Sequence, residues 1–345
     1  PQKLKLLSHL AAITFEQGQY FFKQRVLEQY IEDFIRYLPN ASIDNEELHL
    51  ESESVLKAIE SQHGLLIERA RGIFSFSYLA FQEYFTARNI VASHNLQSPA
   101  QALGGLVSHL TDPHWHEIFL LTATMLRSAD SLMQLMKQQI DALVAQDPYL
   151  QEFLMWASQK ELPAQTKEAT VRSFYLALAK SPHQAADFAI ACTLDQGMFL
   201  DVALDQLLLE CAIDQSPDVA HAHLCTVALG NVLGTVLDAG FHKALQQLQE
   251  QLPSEQNQER FQVWWQVHHT AWSEQLRTTI AQYRQIDQDW HFSPVQQQVL
   301  QSYYTANQLL LDCLHSDCEV TAAIRAEIES TLLLPQRELE AREWQ

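Results

Sequence analysis

The spacing of apolar residues over the first 96 positions predicts three helices, a hairpin and a fourth helix. Residues 3–17 and 20–38 show the period of amphipathic helices, and in the second the apolar positions recur every four residues: Phe22, Val26, Tyr30, Phe34 and Leu38. A short helix begins near Ser52. Within residues 65–77, two short β-prone runs flank Arg71-Gly72, and in the second run phenylalanines alternate with serines. This pattern predicts two short strands and a tight turn. Three helices followed by a hairpin is the order of a winged helix, whose wing is the hairpin.

Beyond residue 96 the pattern is helical, with breaks at proline and no fixed repeat period. The predicted breaks are Ser98-Pro99, Asp112-Pro113, Asp147-Pro148, Leu162-Pro163, Ser181-Pro182, Ser216-Pro217, Leu252-Pro253 and Ser293-Pro294. Asp or Ser before Pro caps the free N–H groups of a helix start. Residues 254–292 form a long polar helix or helix pair, and 295–314 and 317–332 form a last pair. The fold class is therefore mainly α, a winged-helix-like unit with one short β-hairpin followed by an irregular α-helical array.

These patterns divide the chain into four segments. They are a winged-helix-like regulatory domain with its connecting helix (1–95), a helical sensor domain (96–253), a C-terminal helical domain (254–335) and a tail (336–345). The tail is loose or a short exposed helix. The first residue is Pro and not Met, which indicates a segment of a longer protein.

Composition narrows the classes of function. Residues 1–100 carry 9 Lys and Arg against 12 Asp and Glu, a net charge of −3, and the remainder carries 13 against 30, or −17. Such a surface repels phosphate backbones and anionic membranes, so we expect neither nucleic acid nor membrane as a partner. The chain lacks an apolar run of about 18 residues and a signal peptide. Five cysteines without framework spacing indicate reduced, mostly buried thiols in the cytoplasm.

The sequence predicts no catalytic residue and no cofactor for this chain. The phosphate cradle GxxxxGK[ST] is absent, and Gly104-Gly105 has no following Lys. His and Cys cluster in HLTDPHWH, HAHLC and CLHSDC. His221 and Cys225 share a helix face at i, i+4, but two ligands do not make a metal site, so ordinary packing is favoured. We predict no metal. An enzyme with an unrecognised helical active site is an alternative that the sequence leaves open.

Three tryptophans within nine residues are the other notable cluster. Trp265 and Trp272 share a helix face, and Trp264 lies at the edge of that face. They form a seam between helices or an aromatic recognition surface of the kind that protein interfaces favour.

Residues 76–87, FSYLAFQEYFTA, resemble the F-x-H-x-x-F-Q-E-[FY]-[FL]-x-A segment of NACHT-family STAND ATPases. DPHWHEIFLLTATML resembles a helix of the bacterial branch of that family, and YYTANQLLLDCLHSDCEVTAAIRAEIESTLLLP resembles the helical C-terminal domain of many bacterial members. The resemblance implies a winged helix that clamps a closed, ADP-bound state and a C-terminal sensor. It also implies an upstream P-loop ATPase that binds ADP or ATP, homo-oligomerisation when active, and a role in defence against phage.

The motif departs from the family pattern at Tyr78. The family has a His there, which contacts the ADP phosphate in well-known animal members. A phenol donates a hydrogen bond as a neutral group, whereas an imidazole titrates near neutral pH. Either Tyr78 is a neutral nucleotide-sensing donor or it belongs to the core. Phe76, Phe81 and Phe85 are expected to pack, and Gln82 and Glu83 to form hydrogen bonds at the domain junction.

The sequence therefore favours the regulatory and ligand-sensing C-terminal region of a NACHT signalling ATPase. Its expected partners are its own ATPase domain and a protein ligand, basic or phage-derived, that binds the acidic helical surface beyond residue 100. The alternative is a constitutive α-solenoid scaffold, which has no need of a wing.

Overall fold

The fold is taken from a computed structural model that describes residues 2–37, 44–96, 99–160, 168–180, 189–194, 211, 216–234, 239–253, 258–284 and 290–343. The predicted breaks at 162–163 and 181–182 lie outside these residues. Two compact units are present, one formed by 1–140 with 309–325 and the other by 141–308 with 326–345. The predicted domain boundaries near residues 95, 253 and 335 stay predictions.

The described elements are almost all helical, with one small three-stranded antiparallel sheet. The strands are β1 (Phe22–Lys23), β2 (Leu66–Ala70) and β3 (Ile73–Phe76). The first seven helices are α1 (Gln2–Glu16), α2 (Gln24–Arg36), α3 (Asn45–His63), α4 (Leu79–Leu96), α5 (Pro99–Val107), α6 (His116–Met125) and α7 (Asp130–Ala145), with a 3₁₀ turn at Pro113–Trp115. They are followed by α8 (Pro148–Ser158), α9 (Glu168–Lys180), α10 (Ala189–Leu194), α11 (Val219–Leu233), α12 (Ala239–Gln251), α13 (Gln258–Arg284), α14 (Pro294–His315), α15 (Ala322–Thr331) and α16 (Gln336–Glu343). The predicted mainly α fold with a winged-helix-like unit is confirmed.

Glycines set the turns of the wing. Gly64 ends α3 at φ 58° and Gly72 turns the β2–β3 hairpin at φ 69°, conformations that cost glycine little. The sheet has the order β1-β3-β2. The sequence predicted a two-stranded hairpin and a helix from residue 20, which is wrong at Phe22 and Lys23. These two residues add an edge strand to β3, and α2 begins only at Gln24, after the extended Lys23.

The winged helix has its own hydrophobic core between α1, α2, α3, the sheet and the start of α4. Its central members are Leu7, Leu10, Phe22, Leu27, Ile31, Leu56, Ile59, Leu66, Phe74, Phe76 and Phe85, all at most 5% exposed. Of the predicted apolar stripe, Phe22 belongs to this core and Tyr30 and Phe34 pack against it while partly buried. The fully buried positions of α2 are Leu27 and Ile31, one residue after the predicted Val26 and Tyr30.

Acid–proline pairs start helices as the sequence predicted. The carboxylate of Asp112 accepts the backbone N–H of His114 at 3.0 Å. That of Asp147 accepts those of Tyr149 at 2.9 Å and Leu150 at 3.1 Å, which caps α8. Hydrogen bonding from Gln296 and from these backbone groups lowers the pKa of Asp147, so the cap stays ionised at neutral pH.

The C-terminal segment is tied to α8 and α9. The Arg172 guanidinium is buried and donates to the carbonyls of Leu332 at 2.9 Å and Ser330 at 2.8 Å. Burial lowers the pKa of this group to about 10, although the carboxylate of Glu168 opposes the shift. Ser158 donates to Glu338 at 2.7 Å, so α16 is a docked helix and not a loose tail.

The part of the chain that the structure describes contains no helix with both the length and the apolar character needed to cross a bilayer.

Candidate functional site

The motif segment 76–87 runs from the end of the sheet into α4, and hydrogen bonds fix this junction. The N–H of Ser77 donates to the carbonyl of Leu65 at 2.8 Å. The guanidinium of Arg69 donates to Ser75 Oγ at 3.0 Å and to the carbonyl of Ser77 at 2.8 Å. The backbone that precedes Tyr78 is therefore held in place by the wing.

The inward face of the segment is structural. Phe76 and Phe85 are 5% and 4% exposed, and their ring centroids lie 6.5 Å apart. Gln82 is 1% exposed, and its side-chain amide donates to Thr14 Oγ1 at 2.9 Å and to the carbonyl of Gln19 at 3.0 Å. Gln82 thus joins α4 to α1 and to the turn that follows α1, all within the winged helix.

The outward face of the segment is aromatic. Tyr78 is 70% exposed, Tyr84 39% and Phe81 36%, and Arg88 lies one turn further along α4 and is exposed. The rings of Tyr78 and Phe81 meet edge to face with centroids 5.8 Å apart. We call Tyr78, Phe81, Tyr84 and Arg88 the motif face.

Two expectations for this segment need correction. Tyr78 is not a core residue, because most of its side chain is exposed, so only its alternative role as a donor to a nucleotide stays open as a prediction. The expectation that Phe81 is a packing residue is wrong in part, because its ring rests on Tyr78 at the surface while more than a third of it is exposed. Both residues follow the turn into α4, where helical period alone does not fix which side faces the core.

Glu83 lies at the edge of this face, in a partly buried acidic setting. Burial raises the pKa of its carboxyl, the nearby Glu117 adds to the rise, and His114 opposes it. The imidazole of His114 stacks on Phe15 with centroids 4.2 Å apart, and its Nδ1 lies 3.2 Å from the Tyr20 hydroxyl. The HLTDPHWH segment therefore packs histidines against aromatic rings beside the motif helix.

Sequence reasoning missed Tyr84 and Arg88 as members of this surface. The signal was available, because residues 81, 84 and 88 follow the i, i+3, i+7 spacing of one helix face. The polar link from Gln82 to the Gln19 turn joins residues 63 apart, which sequence spacing cannot reveal.

The tryptophans lie on α13 and point in two directions. Trp265 and Trp272 are 0% and 1% exposed, and their indole N–H groups donate to the carbonyls of Ser216 at 3.1 Å and Leu248 at 3.0 Å. Trp264 is only partly buried. It borders a shallow depression on the outer face of α13 whose other lining residues are Glu259, Arg260, Val263, Val267 and His268. Trp265 and Trp272 therefore pack between helices, as the first of the two predicted alternatives has it. A recognition role for Trp264 stays a prediction.

The histidine and cysteine clusters have ordinary partners. His221 Nε2 lies 3.5 Å from Cys225 Sγ in a buried contact, and His223 stacks on Phe261 with centroids 5.3 Å apart. Cys318 donates to the carbonyl of Cys313 at 3.1 Å, and burial raises the pKa of the Cys313 thiol. Among the described side chains no group of three or more His, Cys, Asp or Glu is arranged to hold a metal. The side chain of Cys192 lies outside that part.

Two family models match the chain. One, described as a winged helix-turn-helix domain C-terminal to NACHT, matches residues 2–90, and the other, described as NACHT C-terminal helical domain 2, matches residues 241–335. The first contains the motif face and the second contains the tryptophan helix. Neither the comparison with curated proteins nor the comparison with solved structures gives a match.

Proposed function

Because its winged helix and C-terminal helical domain make this chain a C-terminal region of the NACHT family, we propose that it senses a ligand and controls a NACHT signalling ATPase. In this proposal a P-loop module in the parent protein binds ADP or ATP, and the chain described here supplies regulation and no catalytic step. The parent protein acts in the cytoplasm as a switch, in defence against phage.

The observation that carries the proposal is the motif face. The residue before α4 and the first turns of that helix display two tyrosines, a phenylalanine and an arginine to solvent. Tyr and Arg are the residue types that most often anchor protein interfaces, together with Trp. Exposed aromatic surface also gains roughly 25 cal/mol for each Å² that a partner covers. In the closed state the NACHT module covers the motif face.

Tyr78 is placed to take part in that contact. It is the most exposed aromatic residue of the motif face, and the backbone before it is held by Arg69. Its hydroxyl donates to a phosphate oxygen of ADP bound in the NACHT module, as a neutral substitute for the family's histidine. Removing ADP or moving the module away breaks this hydrogen bond and releases the face.

Ligand sensing falls to the helices beyond residue 100. A ligand shifts a closed–open equilibrium only as far as it binds one state better than the other. The net charge of −17 over these residues favours a basic protein ligand, such as a phage protein. When such a ligand favours the open state, nucleotide exchange and assembly of several copies follow.

The docking claim is tested in the parent protein by removing the motif face. Phe81→Ser, Tyr84→Ser and Arg88→Glu together are expected to lower ADP retention after gel filtration by about tenfold or more, as loss of interface anchors does. A matched control changes three exposed apolar residues elsewhere, Val227→Ser, Val263→Ser and Val267→Ser, which are 57%, 64% and 70% exposed. The control is expected to retain ADP as the wild type does.

The nucleotide contact is tested separately by Tyr78→Phe in the parent protein. Loss of one hydrogen bond to a charged acceptor is expected to weaken ADP binding by about 1.5–3 kcal/mol, measured by calorimetry or by ADP off-rate. Unchanged ADP retention would remove Tyr78 from the mechanism and leave the rest of the face in place. If the triple motif-face variant also retains ADP, the chain acts as a constitutive interaction scaffold instead.

A further inference from the structure

The end of α14 brings two free cysteines together. The Cys318 thiol donates to the carbonyl oxygen of Cys313 at 3.1 Å, and both residues are free thiols. Because a carbonyl oxygen lies about 2.4 Å from its own Cα, the Cys318 sulfur lies within about 5.5 Å of the Cys313 Cα. Turning the two side chains about their Cα–Cβ bonds brings the sulfurs toward each other, as a disulfide between close Cα atoms requires.

The loop that carries Cys318 is held against the start of α7. The carbonyl of Glu319 accepts the N–H of Ala129 at 2.9 Å. The carboxylate of Asp130 accepts the N–H of Thr321 at 2.8 Å. Since these bonds fix the backbone directly after Cys318, its sulfur is kept beside the end of α14.

The hydrogen bond from Cys318 is dispensable, because the same carbonyl has other donors. Ser316 donates to the Cys313 oxygen with its backbone N–H at 3.2 Å and with its hydroxyl at 2.7 Å. A carbonyl oxygen has two lone pairs, so these two donors satisfy it. Loss of the Cys318 S–H therefore leaves the carbonyl with its donors.

The two thiols differ in their access to solvent. Cys318 is partly exposed, whereas Cys313 is 0% exposed. Burial raises the pKa of the Cys313 thiol, and the adjacent Cys318 adds to the rise. A small oxidant thus reaches Cys318 first, and Cys313 reacts with a sulfur that is already beside it.

We propose that Cys318 and Cys313 are a site of reversible oxidation, at which hydrogen peroxide converts the pair into an intramolecular disulfide. In the first step the Cys318 sulfur attacks one peroxide oxygen, the O–O bond breaks, and the leaving hydroxide takes the thiol proton. The products are water and a sulfenic acid on Cys318. In the second step the Cys313 sulfur attacks the Cys318 sulfur, the S–O bond breaks, and the hydroxyl leaves as water with the Cys313 proton. One peroxide is reduced to two waters while two thiols are oxidised to one disulfide.

Such a bridge is a transient mark and not a permanent support of the fold. It closes a ring of six residues, 313–318, and small thiols such as glutathione reopen it by exchange. While it lasts, it joins α14 covalently to the loop that is docked on α7. This inference does not depend on the proposed control of a signalling ATPase.

Mass spectrometry of the 345-residue chain tests the proposal. The reduced protein is treated with hydrogen peroxide at neutral pH, at doses that oxidise free cysteine in the same tube. It is then unfolded in an alkylating reagent that labels every remaining thiol. Trypsin releases residues 285–325 as one peptide, because the next Lys or Arg after Arg284 is Arg325. We expect this peptide to be lighter by two hydrogens and unlabelled, and to take two labels after treatment with dithiothreitol.

Cleavage before Asp317 locates the bridge. Asp317 lies between the two cysteines, so the fragments on either side of this cut stay together through a disulfide alone. Two labelled thiols at these peroxide doses would overturn the proposal, and so would Cys318 oxidised to sulfinic acid beside a labelled Cys313. Covalent dimers on a non-reducing gel would contradict it as well, because the proposed bond lies within one chain.

Variants separate the roles of the two sulfurs. Cys313→Ser is expected to leave Cys318 as a sulfenic acid that dimedone traps, whereas the wild type gives the disulfide and no adduct. Cys318→Ser is expected to keep Cys313 as a labelled thiol at the same doses, because its side chain is buried. An unlabelled Cys313 in that variant would contradict the pairing.

Cys225→Ser is the matched control, since it removes a second buried cysteine that is 0% exposed. This variant is expected to form the bridge as the wild type does, and loss of the bridge would overturn the assignment to Cys313 and Cys318. Circular dichroism melts verify that each variant is folded. The wild-type peptide decides the proposal even if Cys313→Ser does not fold.

Discussion

The motif helix α4 and the tryptophan helix α13 use their aromatic residues in opposite ways. On α13 the two large indoles turn inward, and each N–H donates to a backbone carbonyl of a neighbouring segment. On α4 the inward positions hold Phe85 and the amide of Gln82, while Tyr84 and the preceding Tyr78, just before the helix, turn to solvent. Both helices lie in segments that match NACHT C-terminal domains.

The difference separates aromatic residues that hold a fold from those that await a partner. A buried indole with its N–H satisfied contributes packing and leaves no polar atom exposed to further binding. A tyrosine at the surface of a rigid helix contributes little to stability but is ready to be covered. Burial and hydrogen bonding, more than aromatic content, therefore decide which helix is the candidate interface.

The largest expected effect is on the inward side of α13. Trp272→Ala leaves a cavity where a 1% exposed side chain lies and leaves the Leu248 carbonyl without its donor, so we expect a loss of about 3–5 kcal/mol in the free energy of unfolding. Urea denaturation followed by circular dichroism measures it. Trp264→Ala is the control, with an expected loss of about 1 kcal/mol or less. Equal losses of stability in the two variants would contradict the contrast between buried and partly exposed indoles.

The next effect is expected at Gln82 on the inward side of α4. Gln82→Met keeps the volume but removes the donors to Thr14 Oγ1 and the Gln19 carbonyl, at an expected cost of about 1–3 kcal/mol. Gln29→Met, at an exposed position of α2, is the control. Thermal denaturation compares the two, and a Gln82 variant as stable as the control would show that this buried amide does not hold the winged helix together.

A smaller effect is expected at Glu83, with a definite dependence on pH. Its pKa is raised in the folded state by burial and by Glu117, so its protonated form favours folding and that contribution is lost as pH rises through the folded pKa. Glu83→Gln is therefore expected to stabilise the protein at pH 7 by less than about 1 kcal/mol, since solvent screens the partly exposed group. The gain should vanish below the ordinary Glu pKa of about 4.3.

The same urea or thermal melts at pH 3, 5 and 7 check this prediction. Glu117→Gln removes the neighbouring charge and is expected to reduce the gain from Glu83→Gln. A Glu83→Gln variant that is less stable than wild type at neutral pH would reverse the sign and contradict the account.

The smallest effect on stability is expected at Tyr78. Because its side chain is 70% exposed, Tyr78→Phe should change the free energy of unfolding of this chain by about 0.5 kcal/mol or less. A larger loss in denaturant unfolding would mean that the hydroxyl supports the fold, and any effect on ADP in the parent protein would then be indirect.

The sequence was sufficient for elements that depend on local residues. The wing follows from the two short β-prone runs on either side of Gly72. The start of α8 follows from Asp147 and Pro148, and the family follows from the motif at 76–87. The edge strand at Phe22 was missed because two residues show no periodicity, and only pairing with β3 orders them. The exposure of Tyr78 and Phe81 depends on how α4 packs on α1, a long-range contact that the period of the helix does not contain.

The central claim is that a NACHT module covers the motif face in the ADP-bound state. Hydroxyl-radical footprinting of Tyr78, Phe81 and Tyr84 tests it directly, in this chain alone and in the parent protein with ADP or ATP. We expect the three rings to be labelled in this chain, protected in the ADP-bound parent and labelled again when ATP and ligand open it. Labelling in the ADP-bound parent equal to that in this chain would contradict the account.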